Sequence, residues 1–99
     1  MKELKFIREE IEKTDEKIFE LISTRKKLVC IAWSLKTAEG LPLHLPEREK
    51  YLVDNLDLLT DSVNNSEEKF IYKSIMDCCK NYARDYLQEN GTYSPTPDC

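Results

Sequence analysis

Between Lys2 and Glu39 the chain contains neither glycine nor proline, and its apolar side chains recur with a seven-residue period. One row reads Leu4, Ile11, Ile18, Arg25, Ala32, and the other Ile7, Thr14, Leu21, Leu28, Leu35. Such a pattern predicts one unbroken helix, roughly 55 Å long at ~1.5 Å per residue. A helix that long outruns the width of a small domain, so it projects unless a second chain packs along it. Dimerisation is therefore expected from the first helix alone.

Gly40-Leu41-Pro42 stops this helix, with Gly at the C-terminal cap and Pro just beyond. Pro46 suits the first turn of a second helix, where Glu47 and Glu49 lie near the positive end of its dipole. Its apolar stripe is Leu52, Val53, Leu56, Leu59 and Val63. Asn64-Asn65-Ser66 breaks the chain again, and Asn65 with Glu68 resembles a capping box with Asn in place of Ser or Thr. A third helix follows, with Phe70, Ile71, Ile75, Cys78, Cys79, Tyr82 and Tyr86 on one stripe. Gly91 closes it, and Thr92 to Cys99, with two prolines, reads as a loose tail. No period-2 strand pattern occurs. The expected architecture is all-α: one long, one short and one medium helix forming a single domain over residues 1–90, with a flexible tail over 91–99.

Composition narrows the classes of function. With 99 residues, 40% hydrophobic and 34% charged, the chain is a helix-rich soluble type that buries a modest core. No stretch is long and apolar enough to span a bilayer. The N-terminus carries acid and lacks the apolar run of a secretory signal, so a cytoplasmic location is expected. The net charge is −4, and the interleaved charges form no basic stripe, which argues against nucleic acid as a partner. Cys30, Cys78, Cys79 and Cys99 lack zinc spacing, and adjacent Cys78 and Cys79 are poorly placed for an ordinary disulfide. The first three read as small apolar core residues, so neither a metal nor a cofactor is expected. His44 and Trp33 receive no chemical role: a solvated loop residue and a core or interface aromatic.

The cations on the long helix carry the chemical signal. Arg25 occupies a heptad core position beside Leu21, Leu28 and Val29, where a guanidinium must be paired or hydrated. By itself it fits a structural ion pair equally well. Lys36, eleven residues later, returns to within roughly 20° of the same face, about 16 Å along the axis. Two long cations leaning toward one half-buried space point to a small anion, although Lys36 beside Glu39 is also a plausible solvated lysine. Arg8 lies about 25 Å from Arg25 along the axis and cannot share a small ligand with it from the same helix copy. In an interlocked dimer it can reach the partner's pocket; otherwise it is an exposed arginine near Glu12. Arg48 and Glu49, on the first turn of the second helix, can face the same interior, with Glu49 available to accept from a ligand hydroxyl or to serve the helix dipole.

Taken together, Ile7-Arg8-Glu9-Glu10-Ile11, Asp15, Arg25, Lys36, Gly40-Leu41-Pro42 and Arg48-Glu49 resemble the all-helical chorismate mutases. The likeness covers about residues 4 to 60, and the third helix by hydrophobic pattern only. It implies an intertwined three-helix homodimer with two equivalent sites, acting in chorismate metabolism toward aromatic amino acids. By position it implies that Arg25, Lys36 and Arg48 line the pocket of their own chain, that Arg8 enters the partner's, and that Glu49 receives the substrate hydroxyl. Members of the family rearrange the dicarboxylate chorismate to prephenate without nucleophile or metal, by holding a compact conformer and stabilising charge on the breaking ether oxygen. Lys36, Arg25 and Glu49 are the expected catalytic groups, with Arg8, Arg48, Tyr82 and Tyr86 as further substrate contacts.

Two features depart from the family pattern. A Ser followed one turn later by a Gln is usual on the third helix; here one register puts Tyr82 and Tyr86 there, and another puts Cys79 and Ala83, with Gln88 beyond both. The first register is expected, because it keeps Phe70, Ile71, Ile75 and Cys78 on the buried face, and a tyrosine hydroxyl can donate where the amide would. Leu45 stands where an acid often precedes the Arg-Glu pair. Sister activities on this scaffold, isochorismate-pyruvate lyase and 4-amino-4-deoxychorismate mutase, therefore stay open, as does a non-catalytic dianion-binding or regulatory protein. A plain coiled-coil module would instead gain stability from Arg25→Ala.

Overall fold

The computed structural model describes residues 2–43, 45–59 and 66–91, and every regular element among them is a helix. Helix α1 runs Lys2–Glu39 without interruption, and the molecule extends 57 Å along its longest axis, as the glycine-free heptad run requires. Its end is a Schellman motif: Leu41 N–H donates to the Lys36 carbonyl at 2.8 Å and Gly40 N–H to that of Thr37 at 3.2 Å. Gly40 adopts φ 69°, a left-handed backbone that a β-carbon would penalise.

The second helical segment is divided. Helix α2 (Pro46–Asp54) starts with Pro in its first turn, and α3 (Leu56–Leu59) is a single turn beyond Asn55. The sequence pattern predicts one helix through this stretch. At Asn55 the backbone leaves helical geometry, at φ −111° and ψ 28°, while its side-chain amide and its N–H both donate to the Tyr51 carbonyl, at 2.9 and 3.0 Å. Val63 and Asn65, parts of the expected stripe and capping box, lie outside the described residues, as does the segment 92–99.

Helix α4 (Ser66–Asn90) packs along α1 and receives α2 on its flank. Gly91, at φ 78°, closes it by donating to the Leu87 carbonyl at 2.8 Å. The buried side chains are Cys30 from α1, Leu56 from α3, and Met76, Cys79 and Ala83 from α4. Three of these five are small, which lets the backbones of α1 and α4 approach closely. The expected α4 stripe needs correcting accordingly. Phe70 is 71% exposed, and Ile71 and Cys78 are exposed too, because the helix turns its small residues rather than its largest ones toward α1.

Two contacts hold α2 at both ends. Near its start Glu49 pairs with Lys80 of α4, and at its last residue the Asp54 carbonyl accepts from Lys69 Nζ at 3.3 Å. The second places a cation at the negative end of the α2 dipole.

The heptad face of α1 is uncovered in the single chain. Residues 2–21 are all exposed, and Ile7, Ile11, Ile18, Leu21, Leu28 and Leu35 stand on the surface. Among the described residues no helix is long and apolar enough to cross a membrane.

Candidate active site

Where the second half of α1, the loop before α2, and α4 converge, they enclose an open cleft of about 250 Å³. From α1 come Arg25, Val29, Ala32, Trp33 and Lys36; from the loop Leu43 and Leu45; from α2 Arg48, Glu49 and Leu52; from α4 Met76 and Lys80. The eleven-residue spacing of Arg25 and Lys36 thus brings both to one cavity, as three turns of helix dictate. Arg48 and Glu49 reach it from the first turn of α2, which packs on α4, and Glu49 N–H closes that turn on the Leu45 carbonyl at 3.1 Å.

The electrostatics of the cleft are opposite to those of the chain. Among the described residues four that line it are cationic, Arg25, Lys36, Arg48 and Lys80, against the single carboxylate Glu49, whereas the whole protein carries −4. The remaining walls are mostly apolar, so charge–charge interactions inside are less screened than on the open surface. Arg25 is half-buried, with its guanidinium carbon 6.0 Å from the centre of the Tyr72 ring, close enough for a cation–π contact that holds the long side chain. An anion with more than one negative charge is the species this lining suits.

Lys80 is absent from the candidates that sequence reasoning supplies. Its Nζ lies 2.6 Å from Glu49 Oε1 and 3.4 Å from Asp77 Oδ1, and the Lys80 and Glu49 side chains are each about one quarter exposed. Burial lowers the Lys80 pKa, but the hydrogen bonds and charges of Glu49 and Asp77 outweigh it and raise the group above its ordinary value. It stays an ammonium throughout the neutral range. The sequence signal that could have found it is its distance of one turn from Met76 and its neighbour Cys79, once Cys79 rather than Tyr82 is taken as the buried position.

The tyrosine pair is elsewhere. Tyr82 and Tyr86 stack at 6.1 Å between ring centres, and Lys26 Nζ sits 5.3 Å from the Tyr82 ring; none of the three lines the cleft. Cys79 and Ala83 are fully buried and do not line it either. Of the two registers considered, the geometry therefore matches the second in burial, while the α4 residues on the cleft are Met76 and Lys80. Gln88 borders a separate hollow with Trp33 and Arg84. Arg8 is exposed on the uncovered half of α1, outside the cleft of its own chain, as its distance from Arg25 requires. His44 lies outside the described residues.

Comparison with known proteins points to one family. The family model for chorismate mutase type II matches residues 7–84. The chain is 34% identical over 84 residues to a protein of Aquifex aeolicus named bifunctional chorismate mutase/prephenate dehydratase, a match covering 80% of this chain and 23% of that protein. It is 33% identical over 85 residues to the chorismate mutase of Methanocaldococcus jannaschii, covering 84% of this chain and 86% of that one. The chain thus spans less than a quarter of the first relative and most of the second. No solved structure gives a significant match.

Proposed function

Since the chain belongs to the chorismate mutase type II family, we propose that it rearranges chorismate to prephenate, as a homodimer with sites shared between subunits. The observation that carries this is the surplus of cations around one carboxylate in a cleft with apolar walls. Chorismate is a dianion of a size such a cleft accepts, and its rearrangement breaks a C–O ether bond while a C–C bond forms within the same molecule.

Arg25 and Arg48 clamp the two carboxylates through forked hydrogen bonds, which selects the compact conformer in which the reacting carbons meet. Lys36, a point charge on a flexible stem, serves the ether oxygen as negative charge grows there. Glu49 accepts from the ring hydroxyl. Arg8 of a second copy completes the enclosure, and the exposed heptad face of α1 supports this arrangement because it leaves a long apolar row for that copy to cover. A cytoplasmic setting belongs to the same proposal, as does the absence of a membrane or nucleic-acid partner. Tyr82, an aromatic on the third helix of the kind that leans toward the lyase or the amino-substrate relatives, does not line the cleft of its own chain, so it lends neither sister activity support there.

Incubation of the purified protein separately with chorismate, isochorismate and 4-amino-4-deoxychorismate, followed by product identification, tests the proposal. Prephenate from chorismate is the expected result. Pyruvate and salicylate from isochorismate would reassign the chain to the lyases, and turnover of none of the three would end the case for catalysis.

A further inference from the structure

Glu49 leaves the substrate class open on its own, because a carboxylate can accept from a hydroxyl or pair with an ammonium. Its neighbour removes the ambiguity. Lys80 Nζ is 2.6 Å from Glu49 Oε1, and both residues line the cleft that holds Arg25, Lys36 and Arg48. We infer that Lys80 is a specificity-determining positioning residue, which holds Glu49 as a neutralised acceptor and so selects a substrate with a hydroxyl over one with an amine at that position. The inference rests on the chorismate mutase proposal, in which Glu49 faces that substituent.

A carboxylate offers about four acceptor sites, so it can hold an ammonium at Oε1 and accept from a hydroxyl donor at the same time. The hydroxyl adds no charge, and the Lys80–Glu49 pair stays intact when it binds. A substrate ammonium must instead enter beside Lys80, and like charges brought together in a partly desolvated site are unfavourable. Displacing Lys80 does not solve this, because Asp77, at 3.4 Å, keeps the lysine where it is. The cations of the cleft act in the same direction, since an amino group lowers the net negative charge that the lining attracts.

The test compares chorismate with 4-amino-4-deoxychorismate as substrates for the full chain and for Lys80→Met, Lys80→Gln and Lys80→Arg. In the wild type, kcat/KM favours the hydroxyl compound. Both neutral variants reduce that preference about tenfold, a modest figure for a charge a quarter exposed, and Lys80→Arg retains it. The ratio is independent of how much enzyme is folded, so general damage to the structure leaves it unmoved. An unchanged ratio in both neutral variants overturns the assignment, as does a wild type that prefers the amine. Should the wild type turn over neither compound, the mutase proposal fails, and titration calorimetry with the same two compounds then decides the role of Lys80. An affinity ratio that shifts in Lys80→Met and Lys80→Gln supports it; an equal ratio, or binding of neither compound, overturns it.

Discussion

Arg25 and Lys36 show how much a single residue's surroundings decide. Arg25 interrupts an apolar row, and on the surface of an isolated helix it would be an ordinary charge; against Tyr72 and on the wall of a cleft it is placed for the anion-binding role proposed above. For Lys36 the proposed work is on charge that develops only as the ether bond breaks. Lys36→Met is therefore expected to lower kcat by about 10²- to 10³-fold, with a smaller change in KM, in steady-state kinetics with chorismate. A KM increase with kcat preserved would mean that Lys36 only binds. Arg25 and Lys36 were legible in the sequence because helix periodicity fixes their relative directions, whereas Arg48 and Glu49, across a turn on another helix, were legible through the family resemblance. Lys80 was not, because the face that α4 presents was inferred from its largest apolar residues. Burial follows fit rather than size here: Cys79 and Ala83 are inside, while Phe70 and Ile71 are not.

At the scale of elements, caps and breaks read well from the sequence where glycine or proline enforces them. Gly40, Pro46 and Gly91 end or begin helices where expected. The break at Asn55 was hidden because it lies in the backbone conformation of a polar residue that an apolar stripe does not report. Gly40 gives a clean test of its turn. A β-carbon there meets no atom within 4 Å, so Gly40→Ala carries only the backbone penalty of φ 69°. The expected loss is about 1 kcal/mol, measured by urea denaturation at fixed protein concentration. No loss would mean that the turn relaxes to another conformation, with Leu43 and Leu45 then displaced from the cleft wall.

For the whole molecule, the length of α1 was readable and its partner was only implied. Apart from half-buried Arg25, the heptad rows of α1 are exposed from Leu4 to Leu35, and Arg8 is outside the cleft of its own chain. In the proposed dimer these facts have one cause: each cleft takes Arg8 from one copy and Arg25 and Lys36 from the other. Arg8→Ala and Lys36→Ala chains, each inactive alone, are expected to recover part of the activity when mixed and allowed to exchange subunits. A verified heterodimer that recovers none would rule out sharing of the site.

The uncovered first half of α1 has a consequence for how such a protein behaves at different abundances. In the proposed dimer a second copy completes the small core of each chain, which ties folding to encounter, so dilution removes structure and site together. While most copies remain single, the number of assembled sites rises with the square of the amount of protein made. Expression level then acts as a control on output that needs no separate regulatory ligand.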